Sequence, residues 1–320
     1  MYPLKFQPIL KERLWGGTKL TDVLSKPIES DITGESWELS TVKGDVSIVA
    51  NGDLTGSSLQ ELIDENPESF LGKSVVERFG KDFPILIKFI DAKQDLSIQL
   101  HPNDELAKER HDSFGKTEMW YVMDADEKAD LIVGFNKDVT KEEYSNSLEN
   151  DTLLDLLNYE SVKEGDTFFI NTGKIHAIGA GVLLAEIQQT SDITYRVFDF
   201  NRKDKNGNLR ELHTDMALDA IDYTKKDDFK VDYSNASDAV NTMVTCPYFN
   251  TNYIHLTKDL KQDISTRDSF TIYMCVGGAV TIENEFGTAT IKKGETILVA
   301  ANSKQVILKS DQAKILEVTI

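Results

Sequence analysis

Gly165-Asp166-Thr167-Phe168-Phe169-Ile170-Asn171-Thr172-Gly173-Lys174-Ile175-His176 decides how this 320-residue chain reads. A Gly-acid turn opens a run of β-branched and aromatic residues, which is a strand signal. Asn171, Gly173 and His176 follow Gly165 by 6, 8 and 11 positions. A second copy starts at Gly294-Glu295 and continues Thr296-Ile297-Leu298-Val299; the same offsets hold Ala300, Asn302 and Gln305. Both copies share the turn and the apolar run, and only the first carries the histidine. The pair predicts two related β-barrels, the second without a histidine at that position.

The rest of the chain has the same texture. Residues 46–50, 84–90 and 182–187 are short Val/Ile/Leu/Phe runs between Gly or charged residues, as are several segments beyond residue 245. Helical signals are fewer. Ser58 with Glu61 fits a capping box, as does Thr140 with Glu143. The leucines at 148, 153, 154, 156 and 157 extend the second into a helix over 140–157, and residues 103–111 and 214–223 also read as helical. Helices do not alternate with strands, which argues against a parallel βαβ sheet. The expected fold is mainly β and antiparallel, with short helical insertions. A polar stretch from Lys225 through Asp228 and from Asp232 to Asp238 predicts a boundary, with domains at 1–235 and 236–320.

Composition narrows the function. Lys+Arg 35 against Asp+Glu 54 gives a net charge of −19, which repels phosphate backbones and anionic lipid. Neither nucleic acid nor a membrane surface is an expected partner, and no apolar run reaches the ~18 residues of a membrane span. Cys246 and Cys275 make no CxxC pair and read as two reduced thiols. With no basic-then-apolar start after Met1, the expected compartment is the cytoplasm.

Chemistry concentrates in four segments. In residues 96–102, Gln99 and His101 lie two apart, so a strand projects both from one face while Ile98 and Leu100 take the other. Such a pair serves as two metal ligands or as a hydrogen-bonded strand end. In residues 116–122, alternation puts Lys116, Glu118 and Trp120 on one face among apolar neighbours, which favours an interior, partnered carboxylate. Gly115-Lys116-Thr117 is no phosphate loop, because Arg110 stands where that motif needs glycine. The third segment places His176 at the start of an apolar strand. Gln99, His101, Glu118 and His176 together offer two nitrogens and two oxygens, a set suited to Zn²⁺, with Mn²⁺, Co²⁺ or Fe²⁺ also compatible. His111, His213 and His255 carry less weight, and His111 reads as solvated. The fourth segment, 186–200, sets Arg196 among Tyr195, Val197 and Phe198, either snorkelling at an edge or fixed beside an anion.

Together the stretches 84–89, 96–102, 116–121 and 186–200, with Trp15-Gly16-Gly17, resemble the type I mannose-6-phosphate isomerases (phosphomannose isomerases) of the short bacterial form. The likeness runs over roughly residues 1–225. It implies two cupin-type (jelly-roll) β-barrels, the C-terminal one without metal. It also implies one zinc per chain on Gln99, His101, Glu118 and His176, and an active-site arginine at Arg196. The large helical domain of longer relatives has no room here. The implied reaction interconverts mannose 6-phosphate and fructose 6-phosphate through a cis-enediol, in a monomer whose partner is a small sugar phosphate. Trp15, Ser97 and Lys88, on matching stretches, are the expected substrate-binding residues. Arg196 would stabilise the enediolate or the phosphate. Lys116 or Glu186 would transfer protons, and a lysine near a metal and an arginine is expected to have its ammonium form disfavoured. Two other readings use the same ligands: a non-catalytic metal-dependent sugar-binding cupin, and an Fe²⁺ oxygenase.

Overall fold

The computed structural model describes every residue except Lys205 and Asp228, so the last residue of the Lys225–Asp228 charge run lies outside the described residues. Two β units make up the chain. In the first, a six-stranded antiparallel sheet runs in the order Thr167–Ile170, Glu118–Ala125, Val182–Gln189, Ile85–Ala92, Thr33–Leu39 and Ile9–Gly17. A five-stranded sheet runs Leu157–Ser161, Asp130–Phe135, His176–Ile178, Ile98–Leu100 and Tyr195–Phe198. Their facing sides share one apolar core that includes Ile90, Trp120, Val122, Leu131, Val133, Phe168 and Leu184.

The six-stranded sheet is buried on both faces. Leu86, Lys88 and Ile90 point into the first unit, while Ile85, Ile87 and Phe89 join a second core with Ile272, Met274, Leu316 and Val318 of the C-terminal unit. Double burial explains why these strands read as continuous apolar runs rather than as clean alternation. Residues 4–5 pair with Thr296–Val299, so the chain's first strand lies in the C-terminal sheet. The outer face of the five-stranded sheet is covered by the helices Lys141–Glu149 and Thr214–Ala220, through Tyr144 and Ala217, and by Leu153 and Leu156 between them.

The internal repeat is geometric as well as sequential. Gly165 and Gly294 both adopt positive φ, at 91° and 88°. In the first copy Gly165 N donates to Val122 O and Val122 N to Asp166 O; in the second, Gly294 N donates to Cys275 O and Cys275 N to Glu295 O. Strand register then equates Glu118, opposite Ile170, with Thr271, opposite Val299. It likewise equates Glu186, opposite Trp120, with Glu317, opposite Tyr273. Two cupin-type units with short helical insertions are the result, and among the described residues no helix is long and apolar enough to cross a membrane.

Local signals fared unevenly. Ser58 and Glu61 form the full capping box, and Asp104–His111 is capped by Asn103. The helix expected over 140–157 instead ends at Glu149. Asp151 takes a left-handed conformation at φ 57°, a 3₁₀ turn holds Leu153–Leu156, and Leu157 already begins a strand. The leucines at helical spacing are drawn onto the sheet by burial, which outweighs helix propensity there. The 214–223 helix stops at Ala220.

Phe89 is fully buried between the two units, with the Lys26 ammonium over its ring. Phe89→Ala should therefore lower unfolding stability by about 3–5 kcal/mol, the range for emptying a buried phenylalanine site, as read from urea denaturation.

Candidate active site

Alternation on a few strands assembles the site. Ile98 and Leu100 face the helix-covered core, which turns Gln99 inward. Gln99 is in register with His176 on one side and Arg196 on the other. Across the interior, the six-stranded sheet carries a row in register: Trp120 with Glu186, Glu186 with Lys88, and Lys88 with Trp37.

The centre of the site is Glu118, which is 1% exposed. His101 Nε2 lies 3.5 Å from its Oε2 and His176 Nε2 lies 3.6 Å from its Oε1. One ligand atom from each of these three residues falls within 4.8 Å of the other two. Backbone carbonyls orient both rings: His101 Nδ1 donates to Ile193 O at 2.9 Å and His176 Nδ1 to Lys174 O at 2.8 Å. Each Nε2 is thereby left as a lone pair aimed at Glu118, the arrangement of a metal-binding imidazole held by its other nitrogen. Glu118 Oε1 and His176 Nε2 are buried without a hydrogen-bond partner, so the donor set fits a divalent ion. Burial, then the Lys116 charge, pushes His101 down to about 4, and burial also lowers His176. Both rings are neutral near pH 7, as ligands must be.

Lys116 donates to Glu118 Oε2 at 2.6 Å and to His101 Nε2 at 3.1 Å. Its expected preference for the neutral form, which was tied to a nearby metal, does not hold among the protein's own groups. Burial disfavours the ammonium, but the Glu118 and Glu186 carboxylates outweigh burial and raise the lysine above its ordinary value. The same contact holds Glu118 well below the carboxylate range against the effect of its burial.

A cavity of about 470 Å³ opens beside this centre. Trp15, Lys88, Ser97, Gln99, Lys116, His176, Glu186 and Arg196 all line it, so the residues singled out from sequence converge there; His101 and Glu118 lie behind Lys116. Glu186 accepts from Lys88 Nζ at 3.1 Å and from Trp120 Nε1 at 2.9 Å. Lys88 also donates to Gln188. Arg196 Nε reaches Ser97 Oγ at 3.3 Å, and its Nη1 donates to Glu211 O at 2.9 Å. Its backbone N–H donates to His213 Nδ1. Burial and the nearby Arg210 lower Arg196 from its usual value.

Sequence reasoning missed several wall residues. Arg13 makes a two-pronged pair with Glu35, and Glu35 also accepts from Trp37 Nε1 at 2.7 Å. Lys88 and Arg13 hold Glu35 below its ordinary range despite its burial. The i, i+2 spacing of Arg13 with Trp15 and of Glu35 with Trp37 was the available signal. Arg210 has none: it sits in an irregular loop, clamped by Asp199 through Nε and Nη2. His111, expected to be solvated, is instead half-buried, because its ring meets that of Tyr195 with 5.7 Å between centroids and its Nε2 2.9 Å from Tyr195 Oη.

Comparison with known proteins settles the class. Residues 3–144 match the model of the phosphomannose isomerase type I catalytic domain, and residues 239–320 match that of the mannose-6-phosphate isomerase cupin domain. The chain is 37% identical over 302 residues to the mannose-6-phosphate isomerase ManA of Bacillus subtilis, covering 93% of this chain and 92% of that one. The chain belongs to the type I phosphomannose isomerase family. A crystal structure of the mannose 6-phosphate isomerase from Bacillus subtilis aligns over 100% of both chains, with TM-score 0.90 and 33% identity. The mannose-6-phosphate isomerase of Streptococcus mutans is 41% identical over 220 residues, covering 68% of this chain and 67% of its own length. Family membership makes this chain an isomerase, which favours neither the non-catalytic cupin nor the Fe²⁺ oxygenase.

His101→Ala and His176→Ala should each abolish bound metal, and Gln99→Ala should weaken it, as measured by metal content after dialysis. Chelated protein should also lose stability on acidification. His101 titrates near 4 when folded and near 6.5 when unfolded, so between those values the unfolded chain binds more protons. Stability from this group is full above about pH 6.5, falls as pH drops, and is gone below about pH 4. Urea unfolding of chelated wild type and His101→Gln across that window checks it: the variant's curve should be flatter.

Proposed function

We propose that this chain interconverts mannose 6-phosphate and fructose 6-phosphate through a cis-enediol in the cavity beside Glu118. One observation carries the reading. Two neutral imidazoles and a buried carboxylate, with two ligand atoms unpartnered, stand next to a lysine, a second carboxylate and an arginine at one cavity wall. His101, Glu118 and His176, with Gln99 as the fourth ligand, would hold one zinc ion, which when bound supplies Lewis acidity to the sugar oxygens.

The chain's own residues do the rest. Glu186 accepts hydrogen bonds at both oxygens, from Lys88 and Trp120, which holds an anionic acceptor at the cavity wall. It takes the proton from the sugar carbon and returns it to the adjacent one. Lys116 presents N–H groups and donates to the sugar oxygen that gains charge in the enediolate. The two candidates left unranked by the sequence thus divide the acid and base tasks. Arg196, fixed by Ser97 and Glu211 O, is a permanent cation aimed at the enediolate or the phosphate. Trp15, Ser97 and Lys88 bind and orient the sugar. Five cations at the wall, Arg13, Lys88, Lys116, Arg196 and Arg210, face three carboxylates, Glu35, Glu186 and Asp192. Glu118 and Asp199 behind the wall pair with Lys116 and Arg210, so these charges balance, and a bound divalent ion would supply the excess that attracts a dianion to a chain of net charge −19. Two unpaired thiols, Cys246 and Cys275, accord with a cytoplasmic enzyme, which we take to act as a monomer.

Purified wild type should convert mannose 6-phosphate in a coupled assay. Arg196→Ala should lower kcat by ~10²-fold with metal content intact, the size typical of losing a preorganised charge stabiliser. Wild-type kcat/KM in that variant would remove Arg196 from the mechanism. Solvent deuterium should appear at C1 or C2 of the sugar during turnover.

A further inference from the structure

The C-terminal unit makes one polar contact that leads directly to the catalytic wall. Tyr248 sits in the turn before strand Asn250–Leu256, and its hydroxyl donates to Asp104 Oδ2 at 2.6 Å. Asp104 opens the helix Asp104–His111 of the first unit. Its other oxygen, Oδ1, accepts from Gly115 N at 2.8 Å and from Gln189 Nε2 at 3.0 Å. Gln189 is buried, and its Oε1 accepts from Thr117 N at 2.8 Å. The backbone N–H groups immediately before and after Lys116 are therefore both tied, directly or through Gln189, to the carboxylate that Tyr248 holds. The fit is close: a Cβ on Gly115 would lie 2.7 Å from Asp104 N.

We infer that Tyr248 is a positioning residue for the isomerase reaction, through which the C-terminal unit sets the place of Lys116 from Asp104 and Gln189. Three features support the chain of contacts as a device rather than incidental surface pairing. It crosses the interface between the two units, every link is a side chain with a defined partner, and it terminates on both flanks of one residue. Lys116 needs such control. Its ammonium must meet a sugar oxygen while Glu118, two residues on, stays at the ligand cluster, and a displacement of about 1 Å at a reacting group can cost ~10²-fold in rate. Burial and the Asp104 carboxylate also push the Tyr248 phenol above its ordinary range, so it remains a donor. Arg78 donates to Pro247 O in the residue before, which steadies the same turn.

The inference rests on Lys116 acting in the reaction, and the test separates the two claims. Tyr248→Phe removes one hydroxyl and leaves the ring. It should lower kcat for mannose 6-phosphate by about 10-fold, with KM within about 2-fold, metal content unchanged and the thermal midpoint within a degree or two. Gln189→Leu, which cuts the second branch, should give the same split between kcat and KM. Wild-type kcat in Tyr248→Phe would overturn the inference. A loss of kcat matched by loss of metal or of thermal stability would overturn it as well, since that is the mark of a merely structural contact. Failure of the wild type, or full activity of Lys116→Met, would instead overturn the proposed function and its proton donor.

Discussion

A carboxylate with 1% exposure, Glu118, is the constraint to which the first β unit answers. Burying an ionised carboxylate costs several kcal/mol unless charge and hydrogen bonds surround it. Lys116 supplies the opposite charge at 2.6 Å, and two imidazoles stand at 3.5 and 3.6 Å with their lone pairs inward. Those lone pairs face inward because Ile193 O and Lys174 O hold the opposite nitrogens. Those lone pairs bring no positive charge, so among these groups Lys116 alone offsets Glu118, and the loops that hold the rings ready the cluster for a cation.

The C-terminal unit shows what the repeat becomes without that purpose. Glu317 stands where the first copy has Glu186, and it too is fully buried. Here every acceptor position is filled by protein: Arg267 reaches both oxygens, Gln262 donates to one and Asn252 to the other. Thr271 and Gln305 replace Glu118 and His176. One copy keeps ligand atoms unpartnered, and the other satisfies its buried carboxylate with protein donors. The doubly buried sheet between them lets the C-terminal unit brace the first.

Electrostatics separates the surface from the site. The net charge of −19 would repel a sugar phosphate at long range, and screening limits that repulsion to roughly 8–10 Å at physiological salt. Inside the cavity the arginines are each fixed by a carboxylate or a carbonyl: Arg13 by Glu35, Arg210 by Asp199, Arg196 by Glu211 O. Cations held in this way need little reorganisation when a substrate anion arrives.

Much of the site was legible because strand alternation is a local property. Glu118 and Trp120 share a face of the strand Glu118–Ala125, while His101 lies one residue past the strand Ile98–Leu100 that carries Gln99 and Lys116 two residues before Glu118, and the Gly165 and Gly294 turns disclosed the two-unit plan. Family resemblance named the chemistry those faces carry. Three-dimensional placement decided the remainder. Arg210 and the Tyr248–Asp104–Gln189 contacts involve residues brought together across loops and between units, where no period in the chain records the neighbour. The end of the 141–149 helix was set by the leucines' burial on a sheet rather than by their spacing. The Glu118 carboxylate 2.6 Å from Lys116 likewise favours its ammonium form among the protein's own groups. Periodicity states which way a side chain points; only the packed fold fixes what lies opposite it and at what distance, and charge state and chemistry follow from that distance.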